Sequence, residues 1–180
     1  MSDTAESGFD PATDPRSEYE YTNADIARPD LLADLRARVD GEVRFDTYTR
    51  NLYATDASAY QQLPIGVVAP VSTEDVQAVM AYCAEEAIPV LPRGGGTSLA
   101  GQAVNEAVVL DFKKHMNSVL DVDPESGLAR AEPGITLARL NDALEGHGLK
   151  YAPDPAWGDK SVLGGCIGNN TTGAHSLKYE

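Results

Sequence analysis

A mixed α and β fold built around a strand–helix–strand unit is what this 180-residue sequence predicts. Three observations carry the prediction. An apolar, β-branched run over 65–69 gives way to apolar residues at helical spacing over 76–87, and a second apolar run follows at 88–91. Further on, residues 120–123 and 128–132 flank Pro124-Glu125-Ser126-Gly127, the pattern of a hairpin. Finally, the run at 88–91 empties into Pro92-Arg93-Gly94-Gly95-Gly96-Thr97-Ser98-Leu99-Ala100-Gly101-Gln102, with four glycines among eight residues. Glycine lets backbone N–H groups converge without an intervening Cβ, which suits an anion such as a phosphate.

The elements follow in chain order. Residues 1–24 are acidic, poor in apolar side chains and interrupted by Pro11 and Pro15, so they are expected to be disordered, with the folded domain over 25–180. A helix is expected from Asp30, where Leu31, Leu32, Leu35 and Val39 make one stripe, Asp34 and Arg38 pair at i,i+4, and Gly41 can close the end. Residues 46–58 are polar, turn-rich and interleaved with tyrosines, and read as a largely irregular segment. Ile65–Ala69 is a strand stopped by Pro70, and Ser72 is an N-cap with Glu74 and Asp75 in the first turn. Val76, Val79, Met80, Cys83 and Ala87 supply the inward helix face, Ile88–Leu91 the next strand, and Val108–Phe112 another. After the hairpin, Pro133-Gly134 turns into a helix capped by Thr136, with Leu137, Leu140 and Leu144 inward and Gly146 and Gly148 near its end. Residues 151–155 are extended or a turn, and 162–169 a short helix or tight turn.

Composition bounds the function. The chain carries 28 acids against 14 bases, a formal charge of −14, and only five of the bases are lysine. Such a surface argues against nucleic acid and anionic membranes as partners, and low lysine with abundant aspartate suggests a salty cytoplasm. Near 1 M salt the screening length is about 3 Å, so close backbone donors would decide the binding of an anion whatever the net charge. No apolar stretch approaches the roughly 18–20 residues that cross a bilayer, and the first residues lack a basic start and an apolar run, which leads to the expectation of a cytoplasmic protein. Cys83 and Cys166 form no framework and His115, His147 and His175 no metal-ligand pattern, so no metal site is expected.

The glycine loop admits several phosphate-binding readings. A Walker A loop needs Gly-Lys-Ser/Thr at its end, which is missing. The dinucleotide fingerprint matches at Gly94 and Gly96, but its sixth position is Leu99, a strand and not a helix follows, and Asp111 stands on the wrong kind of element for a ribose ligand. A second small-residue segment, Gly164-Gly165-Cys166-Ile167-Gly168-Asn169-Asn170, suggests a large polyanionic cofactor gripped from both sides.

Four segments in order resemble FAD-linked oxidases of the vanillyl-alcohol oxidase/p-cresol methylhydroxylase (PCMH) type: Thr55-Asp56-Ala57-Ser58, the loop from Arg93 to Gln102, Pro133-Gly134-Ile135-Thr136, and Asp154-Pro155 through His175-Ser176. The resemblance spans roughly residues 45–179, and its branch is similar to the 2-hydroxy-acid dehydrogenases acting on D-lactate, glycolate or D-2-hydroxyglutarate. It implies an α+β, PCMH-type FAD-binding fold: a small parallel βαβ part, part of a larger mixed sheet, and FAD between them. Hydride transfer from a 2-hydroxy acid to flavin is the chemistry it implies. Its implied partners are an iron–sulfur subunit or a missing C-terminal half.

The same resemblance implies a set of contacts. Arg93, Gly94, Gly95, Gly96, Thr97, Ser98 and Gly101 would meet the pyrophosphate; Pro153 and Asp154 would lie near the flavin ring. Ser161, Gly164 and Gly165 would approach the cofactor closely, with Asn169 and Gly173 as further candidates. The loop holds neither histidine nor cysteine, so non-covalent FAD is expected. Each position has a plainer alternative: Arg93 as a surface arginine, Gly164 and Gly165 as packing glycines, Asp154 as part of a turn. His175 either touches flavin or substrate, as the single catalytic candidate, or stabilises its loop. The main catalytic residues and the substrate-binding cap of the resembled enzymes fall beyond Glu180, where the family has a glycine after Lys178-Tyr179. The chain is therefore expected to be an amino-terminal portion: a broken reading frame, a split subunit or an excised piece, inactive alone in the alternative reading.

Overall fold

Two short strands, β2 (Gly66–Ala69) and β4 (Val108–Asp111), are buried along their whole length and form the centre of the molecule. Strands covered on both faces read as continuous apolar runs, which is why their periodicity in sequence is flat. The computed structural model describes residues 28–175 and 178. The expected disorder of 1–24 falls outside them.

The main sheet has the order β1-β2-β4-β3, with β1 at Glu42–Arg44 and β3 at Val90–Arg93. β2, β4 and β3 run parallel, and β1 pairs antiparallel with β2, Val43 opposite Val68. The strand–helix–strand unit is thus present with one difference: β4, from later in the chain, lies between its two strands. Helices α1 (Pro29–Arg36) and α3 (Thr73–Glu85) cover one face. Leu31, Leu32 and Leu35 meet Val79, Cys83, Val68, Val108 and Leu110 there.

A second, smaller core joins the antiparallel hairpin β5 (Val119–Asp123) and β6 (Leu128–Ala131) to helix α4 (Leu137–Glu145). Ile135, Leu140 and Leu144 pack there with Val119, Val122, Tyr151 and Leu163. The expected cap is present: Thr136 accepts from the Arg139 N–H at 3.4 Å. Helix α5 (Leu163–Gly168) follows. The fold is the α+β arrangement expected, with a parallel sheet part and a separate pair of strands.

Four local expectations are corrected. Residues 46–58 are not irregular throughout: α2 spans Thr47–Leu52, started by Asp46, whose carboxylate accepts from the Thr49 N–H at 2.8 Å. Gly41 does not cap α1, which ends at Arg36; it sits where a Cβ would run into the Ala69 carbonyl, and its N–H reaches Asp75 Oδ2 at 3.0 Å. Met80 points outward, 48% exposed. Ala87 is not on the α3 face but in the left-handed C′ position, φ 53°, of a Schellman ending in which Ile88 N–H bonds Cys83 O at 2.7 Å and Ala87 N–H bonds Ala84 O at 3.3 Å.

Candidate functional site

Strand β3 delivers Arg93 to the end of the sheet and the chain then turns through Gly94–Leu99 along the wall of a cleft of about 890 Å³. The opposite wall is residues 155–157, 161–162, 164–166 and 168–172, carried by the α4–α5 region. The cleft therefore lies where the two cores meet.

Contacts between the walls are close. Thr97 Oγ1 and Ser161 Oγ are 3.2 Å apart, and Ser161 is buried. A Cβ at Gly94 would strike the Val162 side chain and one at Gly95 the Lys160 carbonyl. On the far side Gly164 packs on Pro133, donates to its carbonyl at 2.8 Å and leaves no room for a Cβ, which would come within 2.7 Å of Pro133 Cβ. The segment before α5 is itself docked on α4: Leu137 N–H donates to Ser161 O at 3.1 Å and Ala138 N–H to Gly158 O at 3.0 Å.

Much of the small-residue signal is therefore used by the protein to bring its own segments together. Two glycines behave otherwise. A Cβ on Gly165 would meet only Val162 Cγ2 at 3.6 Å, and one on Gly168 nothing within 4 Å; both face the cleft.

Arg93 is the only base among 92–102, and three of its five N–H donors are held by backbone carbonyls. Nη1 donates to Tyr53 O at 3.2 Å and Ala103 O at 2.6 Å, and Nη2 to Thr55 O at 2.8 Å. Gly96, at φ +63°, stands beside it: a Cβ there would be 2.7 Å from Nη2. Asp56 ties the same region, accepting from Ser58 N–H at 2.8 Å and Ala103 N–H at 3.3 Å. Burial pushes its pKa up, but the bonds from Ser58 and Ala103 and the nearby Arg93 charge outweigh that and hold it below the ordinary value. Ala57 N–H completes the join to Gly96 O at 3.0 Å.

Of the residues proposed from sequence, Arg93, Gly94, Gly95, Gly96, Thr97, Ser98, Ser161, Gly164, Gly165 and Asn169 line the one cleft. Gly101 lies apart, in a small hollow against Tyr60. Pro153, Asp154 and Gly173 do not line the cleft, and Gly173 packs on Asp154, where a Cβ would run into the Asp154 carbonyl. His175 Nδ1 is 3.0 Å from Asp154 Oδ2, and neither side chain reaches the cleft lining. Sequence reasoning missed Trp157, 48% exposed on the cleft wall with Lys160 Nζ 5.2 Å from its ring, and the fixing roles of Tyr53 and Asp56. The signal for the last two was the run of tyrosines and turn residues before β2.

A dinucleotide fits these residues. None of the backbone N–H groups from Gly94 to Leu99 donates to an acceptor among the described residues, so a run of donors on the cleft wall is open to an anion. The volume matches that of cofactor clefts, roughly 300–1,000 Å³. A model described as an FAD binding domain matches residues 64–180.

The chain belongs to this family. The FAD binding domain is 35% identical to D-2-hydroxyglutarate dehydrogenase of Pseudomonas putida, over 84% of this chain and 15% of that protein. It is 37% identical to glycolate oxidase subunit GlcD of Bacillus subtilis, over 79% of this chain and 31% of that one. Among solved structures it matches p-cresol methylhydroxylase with a TM-score of 0.58 and 26% identity, covering 71% of this chain and 26% of that one. The chain thus spans less than a third of the length of each of these relatives. It is an FAD-binding domain of the FAD-linked oxidoreductases related to 2-hydroxy-acid dehydrogenases, and FAD is its cofactor. Non-covalent attachment suits the cleft. Its one thiol, Cys166, is buried, and burial raises its pKa, which keeps it from acting as a thiolate. Among the described residues no helix is long and apolar enough to cross a membrane.

Proposed function

We propose that the chain is the FAD-holding module of an enzyme that oxidises a small 2-hydroxy acid of the lactate, glycolate or 2-hydroxyglutarate kind. The observation that carries the cofactor half is the run of N–H groups from Gly94 to Leu99 that have no acceptor among the described residues, on the cleft that Gly165 also lines. Those N–H groups hold the diphosphate, and Gly165 and Gly168 let the cofactor lie against the α5 backbone. Asn169 contributes at the end of α5. Gly101, Pro153, Asp154 and Gly173 support the walls, and Thr97 with Ser161 keeps the walls in register.

When bound, FAD would supply the hydride acceptor: the substrate α-carbon would give its hydride to the flavin, the hydroxyl proton would pass to solvent, and a 2-oxo acid would remain. The names of the relatives support the substrate class. His175, held on Asp154, stays a candidate for the substrate side. The substrate cap and an iron–sulfur or C-terminal partner would come from the rest of a larger enzyme. Nucleic acid is no partner of so acidic a chain; the two free cysteines suit a reducing cytoplasm, and low lysine with abundant aspartate a salty one.

The test is direct. Purified chain is mixed with FAD, freed of excess by gel filtration, and examined for flavin absorbance. Retained flavin with one site per chain is expected. Anaerobic bleaching of the flavin band by D-lactate, glycolate or D-2-hydroxyglutarate, once a partner polypeptide is added, would identify the substrate. Colourless protein that stays folded would favour the other reading, an inert fragment.

A further inference from the structure

The charge of Arg93 invites the view that it neutralises a phosphate. Its surroundings do not agree. The guanidinium bridges three carbonyls from two separate segments, Tyr53 and Thr55 on one and Ala103 on the other. It lies 5.2 Å from the Tyr53 ring centroid. The Tyr53 hydroxyl in turn donates to Asp111 Oδ2 at 2.5 Å, and Asp111 is buried at the end of β4 beside Arg93 in the sheet register. Gly96 carries no Cβ and sits where one would press on Nη2, so the loop is folded around this side chain. A planar fork suits several carbonyls at once, whereas an ammonium on a shorter reach does not.

We propose that Arg93, with Tyr53 and Asp111 behind it, is a clamp that fixes the glycine loop's shape, acting on cofactor binding through the backbone and not as a charge on the diphosphate. Tyr53, Asp111 and Arg93 are then positioning residues. The inference rests on the FAD reading for its binding readout, but the clamp itself is a property of the free chain. If the clamp fails, only a fraction of molecules keeps the loop in binding shape, and the apparent Kd rises in inverse proportion to that fraction.

The experiment compares Arg93→Lys with Arg93→Gln in the full chain. FAD affinity is titrated at several salt concentrations, and amide exchange at Ala57 and Ala103 is followed by NMR. These two amides bond Gly96 O and Asp56, so they report loop closure without flavin. The clamp predicts that both variants lose at least about tenfold in affinity, for a closed fraction near one tenth, with the salt dependence of the native chain. It also predicts faster exchange at both amides while β2 and α3 stay protected. A Lys variant that binds FAD like the native chain, beside a Gln variant that binds weakly with a shallower salt dependence, would overturn it. So would unchanged exchange at Ala57 and Ala103 in both variants. If the native chain binds no FAD, the FAD reading fails, and the exchange result still decides the clamp. Should Arg93→Gln not fold, Tyr53→Phe takes its place, because it removes only the hydroxyl bond to Asp111 and should raise exchange at the same amides.

Discussion

A Cβ on Gly165 would reach nothing closer than Val162 Cγ2 at 3.6 Å, whereas one on Gly95 would run into the Lys160 carbonyl. The two positions therefore separate binding from folding. Gly165→Leu should keep the melting temperature of the native chain, since glycine is a poor helix residue, and lose flavin because the side chain fills the cleft. Gly95→Ala should lower stability by about 1–3 kcal/mol, the usual cost of forcing atoms into a packed site. A thermal melt beside a flavin-fluorescence titration checks both. Asp56 adds a pH prediction. Its carboxylate pKa is depressed in the fold, so the stability it lends the loop is complete above the ordinary value of 3.8 and is lost as pH falls through the lower folded value. Flavin retention should be flat from pH 5 to 8, roughly, and fall below about pH 4. Asp56→Asn should already release flavin at neutral pH, measured as free-flavin fluorescence.

At the scale of elements, α3 shows what sequence can and cannot say. Its start was legible: Ser72 caps it, accepting the Asp75 N–H at 3.1 Å, because a short hydroxyl before an apolar repeat is a local signal. Its end was not, since nothing in an alanine at 87 announces φ 53°. Ala87→Gly should raise stability by about 0.5–1 kcal/mol, as a left-handed residue with a Cβ costs roughly 1–2 kcal/mol and glycine returns part of that in chain entropy. Asp75 was legible only as a helix-dipole acid. The fold uses it at longer range, accepting from Asp40, Gly41 and Val71 N–H at 2.9, 3.0 and 2.9 Å. Asp75→Asn should cost about 2–3 kcal/mol by turning an amide toward these donors, seen as a shift in the urea midpoint. The α2 helix went unread because its two turns carry no buried residue, leaving periodicity nothing to mark.

The whole molecule joins two cores, one around the parallel sheet and one around the hairpin, with the cleft along their junction. Its parallel strands, hairpin and α4 were legible because each is set by nearby residues. The interposed β4 and the docking of Gly94 and Gly95 on 160–162 were not, because they are contacts across the chain. So it was with the site: the two glycine segments were visible, while their division into packing and open glycines is set by contacts with residues distant in sequence. The net charge of −14 has a consequence at this scale. Lowering ionic strength from about 1 M to 0.01 M lengthens screening from roughly 3 to 30 Å, so self-repulsion should lower the melting temperature on dialysis to low salt. If both cleft walls meet one diphosphate, an amide NMR titration with FAD should show the signals of Gly94–Leu99 and of Gly165 and Gly168 shifting together along one binding curve. Shifts confined to one wall, or two unrelated curves, would contradict it.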